Sequence, residues 1–86
     1  MKINELREQI NEVDDCLIEL LGERFELTAL VGKYKKDKKL DVWDEKRETE
    51  ILLRLEKAAK EKGLNAELIK DIYKKIFTES RNKQIS

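Results

Sequence analysis

At 86 residues the chain is one domain at most, with 40% hydrophobic and 44% charged residues, no proline and three glycines. This composition suits long amphipathic helices, and no alternating run bounded by turn residues argues for strands. Nineteen basic and nineteen acidic residues cancel, which removes any global pull towards nucleic acid or an anionic membrane.

No apolar run reaches signal-peptide or membrane length, so a soluble, cytoplasmic protein is expected. The absence of histidine removes the usual general base and the commonest metal ligand. Neither a glycine-rich phosphate loop nor a metal motif is present, and no metal or cofactor is expected. The single cysteine, Cys16, lies beside Asp14 and Asp15 with no activating partner and reads as a packing or surface residue.

The first predicted element is a helix from about Ile3 to about Lys36. Its apolar seam runs Ile3, Leu6, Ile10, Val13, Leu17, Leu20, Leu27, Val31 and Tyr34, in steps of three and four with one longer gap. Arg24 fills that gap. A guanidinium on a core face is costly unless it is paired or binds an anion. A helix of this length spans about 50 Å. A compact chain of this size has a radius of gyration of about 12 Å. The helix must therefore protrude, and a second copy covering its seam is the simplest remedy.

The polar segment Asp37 to Asp41 makes the first connection. A second helix is predicted from Val42 or Trp43, with Asp41 as N-cap and Asp44 favouring the dipole in its first turn. Its seam is Asp44, Arg47/Glu48, Ile51, Leu52, Leu55, Ala58 and Ala59, and it ends at Gly63 as a left-handed cap. Asn65 is the predicted cap of the third helix, which carries Leu68, Ile69, Ile72, Ile76 and Phe77, then Ser80 and Gln84.

Each helix thus turns polar on its core face without changing phase. Arg24 and Lys35 are eleven residues apart, close to three turns, and point to one side. Asp44 and Glu48 continue the stripe of Ile51, Leu52 and Leu55. Ser80 and Gln84 continue that of Ile72 and Ile76. Taken singly, each is an ordinary solvated face, a fraying end, or an Arg24–Glu48 ion pair. Taken together they describe a polar pocket inside a helical bundle. Arg7 lies seventeen residues before Arg24, about 25 Å along the helix, so the two can hold one small molecule only if Arg7 comes from an antiparallel partner.

These residues carry a resemblance to the AroQ-class, all-helical (type II) chorismate mutases. The opening LREQINEVDDCLIELLGER is similar to the family's first-helix signature, followed by VGKYK, then DEKRE, then the ES-x-x-x-Q ending. Arg7, Arg24, Lys35, Asp44, Arg47, Glu48, Ser80 and Gln84 fall on the family's active-site positions. The resemblance implies a single mutase domain over residues 1–86. Its fold class would be all-α, with three helices per chain in an entwined six-helix homodimer.

The implied reaction is the pericyclic rearrangement of chorismate to prephenate, with no cofactor. By the same resemblance, Arg24 and the partner's Arg7 clamp the two carboxylates, and Lys35 and Gln84 donate to the ether oxygen. Glu48 and the Asp44 backbone hold the ring hydroxyl, Ser80 contacts a ring-side carboxylate, and Arg47 orients the acidic groups. Two rivals remain at this point. One is an isochorismate-pyruvate lyase on the same fold, whose pattern lacks the Asp44–Glu48 pair. The other is a non-catalytic helical dimerisation module, which predicts hydrophobes at 24, 80 and 84.

Overall fold

The computed structural model describes residues 2–85 and contains three α-helices: α1 (Ile3–Asp37), α2 (Glu45–Glu61) and α3 (Ala66–Ile85). No strand occurs among the described residues, as the composition predicts. At 1.5 Å per residue, the 35 residues of α1 span about 52 Å. That length accounts for the 55 Å long axis of the molecule. The radius of gyration is 16.0 Å, well above the compact value of about 12 Å.

The last helix is the central one. It packs against α1 on one flank and α2 on the other, while α1 and α2 do not pack on each other. The inner line of α3 runs Ile69, Tyr73, Phe77, Ser80 and Gln84; Leu68 and Ile72, predicted for it, are exposed. Ile51 and Ala59 of α2 and Phe77 of α3 are the buried hydrophobes among the described residues. So small a core is far below what usually holds a chain of this length.

Helix α1 carries two stripes, and all nine apolar residues of its predicted seam lie on the exposed one. The face against α3 is Leu21, Arg24, Phe25, Thr28, Gly32 and Lys35. Leu27, Val31 and Tyr34 sit one position behind Thr28, Gly32 and Lys35, about 100° round the helix, and are exposed. Before Leu21, every described residue is exposed, including Ile3, Leu6, Ile10, Val13, Leu17 and Leu20. The N-terminal half of α1 therefore touches no other element of its own chain.

The helix ends follow one rule with two solutions. In α2, Gly63 adopts φ +70°, its N–H bonds the Lys60 carbonyl at 3.2 Å, and Leu64 N–H bonds that of Ala59 at 2.8 Å. In α1, Lys39 takes the same left-handed place at φ 57°, with Lys39 N–H on Lys36 and Leu40 N–H on Lys35 at 2.7 Å. Both are paired six-to-one and five-to-two closures that satisfy terminal carbonyls. A lysine there hid the first of them from sequence reasoning.

The start of α2 differs from expectation. Asp44, not Asp41, is its N-cap: the Asp44 carboxylate accepts the Arg47 N–H at 3.0 Å, and helix begins at Glu45. Residues 38–44 form a non-helical connection instead, pinned by Lys35 Nζ donating to the Val42 carbonyl at 2.9 Å. Asn65 caps α3 as predicted, its Oδ1 accepting the Leu68 N–H at 3.1 Å. Across α2 and α3, Glu56 pairs with Lys70 and, within its helix, with Lys60 at 3.1 Å.

Candidate active site

A cleft of about 180 Å³ opens where the C-terminal half of α1, the start of α2 and the end of α3 meet. Its walls carry Arg24, Lys35, Asp44, Arg47, Glu48, Ser80 and Gln84, seven of the eight residues singled out from the sequence. Thr28, Val31, Val42, Ile51 and Phe77 complete it. The eighth, Arg7, lies on the exposed N-terminal half of α1, outside this cleft.

Arg24 is neither a packing defect nor the partner of Glu48. Its Nη1 donates to Ser80 Oγ at 3.0 Å. Its guanidinium carbon lies 5.6 Å from the Tyr73 ring centroid and 5.8 Å from that of Phe77. Those rings meet edge to face, 6.0 Å apart at 66°. The cation is thus held by a buried hydroxyl and two aromatic rings, with no carboxylate neutralising it. Thr28 Oγ1 returns to the Arg24 carbonyl at 2.8 Å, which fixes the α1 turn that presents it.

Glu48 instead meets Arg81. Arg81 Nη1 donates to both carboxylate oxygens, at 2.8 Å and 2.6 Å, and both side chains are half-buried. Sequence reasoning missed Arg81 because a cation next to Ser80 near a helix end looks like solvated surface. Only its place one residue beyond a predicted core position offered a signal. The Asp44 carboxylate is committed to the Arg47 N–H as N-cap, which fixes its place at the cleft wall.

Gln84 is placed by a close approach of α3 to α1 at Gly32. Gly32 is the one buried residue of α1, and a Cβ built on it would lie 2.5 Å from Gln84 Cα and 2.7 Å from the Gln84 carbonyl oxygen. Only hydrogen at position 32 lets α3 come this close. Gln84 Oε1 is buried and has no hydrogen-bond partner, so its amide is uncommitted on that side.

The lining therefore combines three cations, two carboxylates already engaged by other groups, two hydroxyls and an amide. Arg24 and Lys35 face the cleft without a carboxylate partner, which is an arrangement for a small anionic molecule. No helix among the described residues is long and apolar enough to cross a membrane. No cluster among them has the make-up of a metal site.

Comparison with known proteins agrees with this chemistry. A sequence profile of the family described as chorismate mutase type II matches residues 6–85. The chain is 35% identical over 79 residues to the T-protein of Enterobacter agglomerans, covering 92% of this chain and 21% of that protein. It is 33% identical over 78 residues to the T-protein of Haemophilus influenzae, covering 91% of this chain and 21% of that protein. The chain thus spans about a fifth of the length of these curated relatives.

Proposed function

The chain belongs to the chorismate mutase type II family, and from that premise we propose that it rearranges chorismate to prephenate in the cleft built around Arg24. The observation that carries the reading is the convergence of Arg24, Lys35, Ser80 and Gln84 from α1 and α3 with Arg47 and Glu48 of α2 and its N-cap Asp44. The reaction is unimolecular, so no proton need be moved and no nucleophile activated. The protein's task is to hold the enolpyruvyl arm over the ring and to stabilise charge on the breaking ether bond.

Each residue type suits its part. Arg24 is held rigid by Ser80 and the Tyr73–Phe77 pair, and its remaining donors clamp one substrate carboxylate. That restriction is a positioning contribution. Lys35 is anchored on the Val42 carbonyl with two further N–H donors to offer the ether oxygen and a carboxylate. Gln84 donates to the ether oxygen from the other side. Such donors strengthen as negative charge develops, and loss of one costs about 2.7–4 kcal/mol, or roughly 10²–10³ in rate. Glu48 and the Asp44 backbone hold the ring hydroxyl, and Arg47 orients the acidic groups.

We further propose an entwined homodimer in which the partner's Arg7 supplies the second carboxylate clamp. Three features support it: the small core, the exposed stripe from Ile3 to Leu20, and a cleft smaller than the roughly 300–1,000 Å³ of sites that enclose a ligand. The test of the activity is incubation with chorismate and, separately, isochorismate, with products identified. Prephenate from chorismate is expected. Pyruvate from isochorismate with chorismate untouched would overturn the mutase reading in favour of a lyase. Inertness towards both would leave a dimerisation module.

A further inference from the structure

Glu48 has a neighbour on the side away from the cleft. Its side chain is a wall shared by the cleft and by a shallow outer groove, where it stands with Trp43, Thr49, Lys74 and Arg81. Arg81 lines only the groove. From there its Nη1 straddles the carboxylate, 2.8 Å from Oε1 and 2.6 Å from Oε2. Nη2 reaches Thr78 Oγ1 at 3.4 Å, and the guanidinium carbon lies 4.7 Å from the Trp43 ring centroid. Arg81 thus ties together the end of α3, the first turn of α2 and the 38–44 connection.

The end-on approach matters. One nitrogen occupies one lone-pair position on each oxygen, and a carboxylate has about four. The others stay available towards the cleft. The cations sharing the cleft with Glu48 are Arg24, Lys35 and Arg47. Without Arg81, a half-buried carboxylate would turn to them for a partner and neutralise donors that an anionic ligand needs.

We propose that Arg81 is a positioning residue for the rearrangement: it holds Glu48 from behind, turned to accept the ring hydroxyl and kept off the anion clamp. This rests on the mutase reading above. Lysine at 81 would keep the charge but lose the planar contact with Trp43. Methionine keeps an unbranched stem over the indole and loses the charge.

The test is chorismate kinetics and thermal melting of wild type, Arg81→Met, Arg81→Lys, Glu48→Gln and the Glu48→Gln/Arg81→Met double variant. Arg81→Met is expected to melt as a folded protein and to lose roughly 10- to 100-fold in kcat/KM, mostly through KM. KM carries the loss because the hydroxyl bond is present in ground and transition states alike. Arg81→Lys should recover part of it. In the Glu48→Gln background, Arg81→Met should cost less than about twofold, because the group it positions is no longer a carboxylate. An equal loss in both backgrounds would mean that Arg81 only packs, and would overturn the proposal. So would wild-type kinetics in Arg81→Met. A wild-type chain that leaves chorismate unconsumed would overturn the mutase reading and this inference with it.

Discussion

Replacing Gly32 by alanine tests how finely the cleft depends on one helix contact. The added methyl carbon would lie 2.5 Å from Gln84 Cα, 2.7 Å from the Gln84 carbonyl oxygen and 2.8 Å from Gln84 Cβ. Carbon atoms rest at about 3.5–4.0 Å, so the helices must part by about 1 Å. The obstacle is backbone, and no side-chain rotation relieves it. Overpacking of this kind costs about 1–3 kcal/mol, and the helix-propensity gain of alanine over glycine returns about 1 kcal/mol. The net destabilisation is about 0–2 kcal/mol.

Activity should suffer more than stability. Gln84 sits at the contact and Ser80 one turn before it, so both lose register with Lys35 and Arg24. A displacement of about 1 Å costs on the order of 10² in rate. The assay is prephenate formation with a circular-dichroism melt alongside. Gly22→Ala is the control on the same helix, because its methyl meets nothing within 4 Å. It should leave kcat unchanged. Wild-type kcat in a folded Gly32→Ala chain would refute the claim that this approach sets the position of Gln84.

Other outcomes follow from single features. Wild-type kcat should be nearly flat from mildly acidic to mildly alkaline pH. Gln84→Glu should lose activity as pH rises, because glutamate donates only when protonated; a pH–rate series on both chains checks this, and a steep alkaline loss in wild type with the fold intact would contradict the role. Arg7→Ala and Arg24→Ala chains, each inactive alone, should recover activity when mixed, since one site of the heterodimer keeps both arginines; absence of rescue would sink the shared site. Lys39→Gly should stabilise by roughly 0.5–1 kcal/mol, the relief of a left-handed lysine less the added chain entropy of glycine, and raise Tm by about 2–8 °C. The hydrogen bonds from Lys70 and then Lys60 hold the Glu56 carboxyl below its ordinary 4.5. Their contribution to stability, of which the Lys70 bond joins α2 to α3, is complete above that value and is lost as pH falls through the lowered one. Glu56→Gln should therefore flatten the acid limb of stability, read by melts across pH.

The number, kind and approximate ends of the helices were legible because each apolar stripe is long and Gly63 and Asn65 mark their stops chemically. The start of α2 was not, because Asp41 and Asp44 are equally good caps on paper. What chooses Asp44 is tertiary: Lys35 donates to the Val42 carbonyl and holds residues 38–44 out of the helix. The cleft lining was legible because its residues break the stripes in phase. Who pairs with whom was not. Arg24 meeting Ser80, and Glu48 meeting Arg81, depend on how far α3 slides along α1, and that is set by Gly32, whose importance lies in an atom it lacks. The apolar seam of α1 was legible as a stripe, but the neighbouring face of Leu21, Phe25, Thr28 and Gly32 that meets α3 was not, because it carries few large hydrophobes.

The central place of α3 also dictates an order of events as the chain is made. α1 and α2 leave the ribosome first, and neither offers the other a surface to pack on. At about 5–20 residues per second, the twenty residues of α3 take roughly 1–4 seconds to follow. Through that interval Ile51 and Ala59 of α2 lack the α3 surface that buries them, whereas the apolar residues of α1 before Leu21 are bare both before and after α3 is made.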